Sequence, residues 1–234
     1  MKNLETPKTL SETGEDYLRA IYLLSEQQTA ATTSRLAEHL QVAPATVTSM
    51  LKRLGEQGWV EYHPYQGATV TAAGQMVAMQ VLRSHRLAET FLVEVLGMPW
   101  DCVHMEAHRW EHALSPDVID RMDALLGYPS HDPHGDPIPD ADGRIAKTST
   151  QQLLDLSPGA VAEIDRVRSQ DFELLRYLGE LGLRPSAKVE VIARAPFEGP
   201  LTVKVNGCQQ VIGRQVACQI FVRPESETTN YLET

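Results

Sequence analysis

The sequence predicts a mainly α chain with a β-rich C-terminal domain: a winged helix-turn-helix, a helical dimerisation domain and a small SH3-like barrel. Three observations carry this. Apolar residues recur at helical spacing from residue 13 to about 126, two short extended segments interrupt them near residues 59–71, and from about residue 158 short extended runs replace the helical period. At 234 residues the chain exceeds one ordinary domain. The pattern divides it into a winged helix over 1–72, a helical dimerisation domain over 73–145, a linker over 146–157, an SH3-like domain over 158–224 and a tail over 225–234.

Each element has its own signal. Thr13, with Tyr17, Leu18, Ile21 and Leu24 at helical spacing, predicts a helix from 13 to about 27. Thr33 is expected to cap a second helix carrying Leu36, Ala37 and Leu40, and Pro44 suits the first turn of a third, which buries Val47, Leu51 and Leu54 and stops at Gly58. WVEYH and ATVT around PYQG fit a hairpin, the wing. A long helix is expected from Ala72 to about Leu96, then helices over about 101–114 and 117–126. GYPSHDPHGDPIPDADGR is dense in Pro, Gly, Asp and His and predicts a solvated connector, in which His131 and His134 are not expected to bind metal. Beyond it, AVAEIDRV, KVEVIA, LTVKV, QQVI and CQIFV predict five strands, interrupted by a helix at ELLRYLGEL.

Composition sets limits. With 42% apolar and 22% charged residues the chain reads as an ordinary soluble protein, and its apolar runs fall far short of the roughly 20 residues needed to span a bilayer. The N-terminus has no apolar signal core, so a cytoplasmic location is expected, with Cys102, Cys208 and Cys218 as reduced thiols. A net charge of −10 argues against a general polyanion binder. The sign is local, however: from Pro44 to Gly55 the only charged residues are Lys52 and Arg53.

The chemistry lies in the middle. His108, Glu111 and His112 stand at i, i+3 and i+4, which on a helix puts two imidazoles and a carboxylate on one face, able to surround a cation. His104 lies one turn earlier. His85 and Glu89 form an i, i+4 pair on the preceding long helix, so two neighbouring metal sites are geometrically possible. The competing readings are a solvated polar stripe, a capping box joining Asp16 to Thr13, and a zinc-dependent hydrolase in which His108-x-x-Glu111-His112 holds the metal and Glu111 activates water.

TGEDYLRAIYLL, SHRLAETFL, VHMEAHRWEHALS and HGDPIPD resemble the diphtheria-toxin-repressor family of metal-dependent transcription regulators, over almost the whole chain. The resemblance implies a homodimeric, non-enzymatic repressor of manganese or iron uptake genes that binds double-stranded operator DNA, with no membrane or small organic substrate. It implies a primary site of Asp16, His108, Glu111 and His112 and an ancillary site of His85, Glu89 and His104. Asp171, then Glu173, are the candidates for ancillary ligands from the C-terminal domain. Iron-dependent members have Met where this chain has Asp16 and Cys where it has His108, and manganese-type members share the Asp. Exchanging sulfur for oxygen and nitrogen favours harder ions, so Mn(II) is expected first and Fe(II) next, with other divalent transition metals possible in vitro. Without metal, Asp16 and Glu111 are expected to repel each other. Thr46, Thr48, Ser49, Lys52, Arg53 and, in the wing, Tyr65 and Gln66 are the expected DNA contacts, with specificity drawn partly from DNA shape.

Overall fold

Ser11, not Thr13, starts the first helix. Its Oγ accepts a hydrogen bond from Gly14 N at 3.3 Å and α1 runs Glu12–Glu26, which leaves Asp16 in the helix body and removes the capping-box reading. The computed structural model describes residues 10–26 and 30–224; the expected tail over 225–234 lies outside the described residues. Thr32, one residue before the expected cap, accepts from Arg35 N at the start of α2 (Thr33–His39). Pro44 opens α3 (Pro44–Glu56), where its fixed φ suits the first turn, and Gly58 follows with a left-handed φ of 81°.

The hairpin forms as β1 (Val60–His63) against β2 (Gly67–Val70), antiparallel, with Val60 opposite Val70 and His63 opposite Gly67. Gly67 is required: its φ is 113°, and a Cβ there would lie 2.9 Å from Ala31 O. The long helix α4 spans Ala72–Glu94. Gly74, the lone breaker within it, sits so close to the chain that a Cβ would meet Trp59 O at 2.1 Å. Two shorter helices follow, α5 (Val103–Trp110) and α6 (Pro116–Leu125).

The described chain divides into two compact units whose boundaries cross the sequence order. The first takes residues up to 85 together with 110–115 and 139–145. Its core joins Tyr17, Leu18 and Ile21 of α1 to Leu36 of α2, Val47, Leu51 and Leu54 of α3, Val60 and Ala68 of the hairpin and Met79 and Leu82 of α4, with Ile145 packed against it. The apolar stripes read from the sequence are therefore the buried faces of a winged helix.

The second unit takes 86–109, 116–138 and 146 onward. All five expected strands form one antiparallel sheet in the order β6-β5-β4-β3-β7, from β3 (Val161–Val167), β4 (Lys188–Arg194), β5 (Leu201–Val205), β6 (Cys208–Ile212) and β7 (Ile220–Pro224). The expected helix is α7 (Phe172–Glu180); a short α8 (Arg214–Ala217) and a single 3-10 turn over Leu153–Asp155 carried no periodicity long enough to read. Ile164, Leu175, Leu178, Val189, Val203 and Val222 fill its core. Leu153, Leu154 and Leu156, between 146 and 157, are buried there too, and so is Trp100. Among the described residues no helix is long and apolar enough to cross a membrane.

Candidate metal centre

The first unit gathers a charged cluster at one face of α1. Glu15, Asp16 and Arg19 share that face, with Arg19 three residues after Asp16 and four after Glu15. The segment 110–115, part of the same unit, supplies Glu111 and His112. The helix expected to carry both ends earlier: α5 stops at Trp110, where Ala113 N bonds back to Trp110 O at 2.9 Å in a tighter turn, and Pro116 begins the next helix. His112 sits between carboxylates, its Nε2 3.1 Å from Asp16 Oδ1 and 3.4 Å from Glu111 Oε1, and its Nδ1 2.7 Å from Glu15 Oε2. Glu111 is fully buried in its side chain; its Oε2 accepts from Arg19 Nη1 at 2.7 Å and lies 2.5 Å from His85 Nδ1. His108 lies on the last turn of α5, three residues before Glu111.

The electrostatics follow from this packing. Burial would raise the Glu111 carboxyl, but hydrogen bonds from His112 and His85 and the charges of His85 and Arg19 outweigh it and hold the group well below the usual carboxylate range. Hydrogen bonds to Asp16 and then Glu111 push His112 up to about 10 against the opposing effect of burial. The expected repulsion between Asp16 and Glu111 is offset by Arg19, whose guanidinium lies 2.7 Å from Glu111 Oε2 and 4.0 Å from Asp16 Oδ1. Glu15 and Arg19 were not anticipated, although their i, i+4 relation to each other was visible in the sequence.

A second cluster lies wholly in the second unit. Glu89, buried on α4, meets His104 Nδ1 at 3.1 Å through one carboxylate oxygen and His134 Nδ1 at 3.4 Å through the other. The expectation that His134 belongs to a solvated connector is overturned, since the residue is only 6% exposed. Two contacts turn the polar loop inward. Val167 N donates to His134 O at 2.8 Å, and Gly135, with φ 87°, lies so near β3 that a Cβ would stand 2.1 Å from Asp165 O. His134 Nε2 bonds to Trp100 O at 2.9 Å, with the two rings stacked at 5.5 Å, so Nδ1 is the nitrogen turned toward Glu89. Asp132 accepts from His134 N and Asp136 N and faces Arg86. Burial first, then the charges of Glu89 and Asp136, raise its carboxyl. For His134, burial acts downward, but the hydrogen bond and charge of Glu89 prevail and push it up to about 9.

The donor chemistry fits a divalent cation. Glu89, Asp132 and His134 each offer a ligand atom within 4.8 Å of the others, and Asp16 and Glu111 both approach His112 Nε2, at 3.1 and 3.4 Å. Buried carboxylates facing imidazoles, without thiolate or thioether, suit borderline to hard metals. Asp171 and Glu173 stand outside these clusters: both are exposed, and Asp171 caps α7 by accepting from Glu173 N and Leu174 N. His131 bonds Ser130 Oγ at 2.8 Å.

The expected DNA contacts lie mostly on open surface. Thr46, Ser49, Lys52 and Arg53 are exposed on α3 and Gln66 in the hairpin turn, and Tyr65 projects fully from the tip with φ 68°. Thr48 is half-buried and bonds Pro44 O at 3.0 Å.

Comparison with known proteins agrees with this architecture. Residues 9–68 match the N-terminal DNA binding domain of iron dependent repressors, 71–140 their metal binding and dimerisation domain, and 151–224 the FeoA domain. The chain is 34% identical over 194 residues to the iron-dependent repressor IdeR of Mycobacterium leprae, covering 78% of this chain and 84% of that protein. It is 31% identical over 213 residues to the diphtheria toxin repressor of Corynebacterium diphtheriae, covering 86% and 92%. A solved manganese-dependent transcriptional repressor in complex with manganese superposes with a TM-score of 0.85 at 36% identity, over 91% of this chain and all of that one. The fold and these likenesses define a metal-dependent, DNA-binding transcriptional regulator with a divalent metal cofactor. The chain belongs to the iron-dependent repressor family, that of the diphtheria toxin repressor. Members of this family are not enzymes, and the hydrolase reading of His108-x-x-Glu111-His112 finds no support.

Proposed function

We propose that the chain is a repressor activated by Mn(II), with Fe(II) second, which as a homodimer binds double-stranded operator DNA of manganese or iron uptake genes. The observation that carries this reading is the meeting of Asp16, on the first helix of the winged unit, with Glu111 and His112. We assign Asp16, Glu111 and His112 as ligands of the primary site, with His108 as a fourth from its place one turn earlier in the chain. For the second site we assign Glu89 and His104, joined by Asp132 and His134, and we retain His85 one turn before Glu89. Asp171 and Glu173 are left outside the ligand set. Names of similar proteins support both metals, and the oxygen and nitrogen donors favour Mn(II) over softer ions.

Bound metal would supply positive charge shared by carboxylates from two chain segments. Asp16 and the 110–115 segment would then be held together, fixing α1 and, through the common core, the recognition helix α3 with its exposed Thr46, Ser49, Lys52 and Arg53. Thr48, Tyr65 and Gln66 complete the proposed DNA surface. The test is calorimetric titration of the full chain with MnCl2, wild type beside Glu111→Gln. The variant removes one ligand charge at constant shape, so its primary-site affinity is expected to fall on the order of 100-fold, with the fold retained by circular dichroism. An unchanged titration would contradict the assignment.

A further inference from the structure

The residue that links the charged groups of the first unit is Arg19. Its Nη1 lies 2.7 Å from Glu111 Oε2 and 3.2 Å from His85 Nδ1, its Nη2 lies 4.0 Å from Asp16 Oδ1, and its side chain is only 14% exposed. Glu111 therefore presents two different oxygens: Oε1 faces His112, and Oε2 is held by Arg19 beside His85. A buried carboxylate without a partner is costly, and a guanidinium never gives up its charge at ordinary pH.

We propose that Arg19 is a resident counter-charge which keeps this cluster assembled without metal and sets the metal affinity of the primary site below what its ligands would otherwise give. The inference rests on the metal reading of Asp16, Glu111 and His112. The fixed cation compensates Glu111 in the metal-free protein and remains close when a divalent ion must be accommodated, so the two positive charges oppose each other. Filling the site then requires a free metal concentration high enough to overcome that opposition. The arrangement works as a threshold, and Arg19 sets it without being a ligand.

The experiment compares wild type, Arg19→Gln, Arg19→Lys and Glu111→Gln as full chains, by MnCl2 titration and by thermal melting in a chelator. Arg19→Gln is expected to melt lower than wild type without metal and to bind Mn(II) on the order of tenfold more tightly, because a like charge near the ion is gone. Arg19→Lys keeps the charge and is expected to stay within about threefold of wild type. Weaker or unchanged Mn(II) binding in Arg19→Gln would overturn the proposal and make Arg19 a simple orienting group for Glu111. Should Arg19→Gln fail to fold, a loss of tenfold or more in Arg19→Lys would overturn it equally. If Glu111→Gln abolishes binding while Arg19→Gln titrates like wild type, the metal site stands and only the counter-charge role fails. If wild type takes up no Mn(II), both readings fall.

Discussion

In the proposed primary site, Asp16 is the ligand expected to set which ions are preferred. Its carboxylate, 3.1 Å from His112 Nε2, is a hard oxygen donor where iron-dependent relatives are expected to carry a thioether. Mn(II) stands at the weak end of the divalent affinity order and gains least from sulfur. Asp16→Met is therefore expected to weaken Mn(II) binding at least about tenfold more than Zn(II) binding, as read from paired titrations of the full chain. Equal losses for both ions would mean that Asp16 holds α1 to its surroundings without choosing the metal. The charged neighbours Glu15 and Arg19 show why a ligand list is incomplete. They add one negative and one positive charge to the same pocket of polar groups, and the buried Glu111 depends on the positive one.

Among the elements, the loop carrying Asp132 and His134 has the most exacting geometry. Its inward turn depends on Gly135, which combines a φ of 87° with a Cβ direction blocked at 2.1 Å by Asp165 O. Gly135→Ala must strain both, so it is expected to cost about 1–3 kcal/mol and lower the melting temperature by several degrees, and to weaken metal binding at Glu89 and His134. Thermal denaturation in a chelator, followed by MnCl2 titration, checks both effects; an unshifted melting curve would show that the loop is not pinned at Gly135. The same loop marks where sequence reading stopped. The helices of the winged unit and the five strands were legible because apolar periods of about 3.6 and 2 survive in a single chain. The burial of His134 was not, because Asp, Pro, Gly and His side by side look solvated until β3, some 30 positions later, supplies the partner of its backbone. The end of α5 at Trp110 was missed for a related reason. The i, i+3, i+4 spacing of His108, Glu111 and His112 reads as continuous helix, and only the turn before Pro116 departs from it. Asp171 carried an ordinary N-cap signal ahead of α7, and the structure uses it as one.

At the scale of the whole molecule, the net charge of −10 and DNA binding are reconciled by location. From Pro44 to Gly55 the only charged side chains of α3 are Lys52 and Arg53, and both are exposed. The first unit includes residues 110–115, so the chain places two proposed metal ligands in the unit that carries the recognition helix. Metal and DNA are then linked by thermodynamic necessity: whatever factor Mn(II) adds to DNA affinity, DNA must add to Mn(II) affinity. The decisive measurement is fluorescence anisotropy of the full chain on a duplex selected from a random double-stranded library in MnCl2. Titrations would be repeated in chelator, in MnCl2, in anaerobic FeCl2 and in ZnCl2. The expected result is DNA binding tightened roughly 5–150-fold by Mn(II), with Fe(II) next, and a matching gain in Mn(II) affinity when the duplex is present. Equal binding of the duplex in chelator and in MnCl2 would contradict metal control.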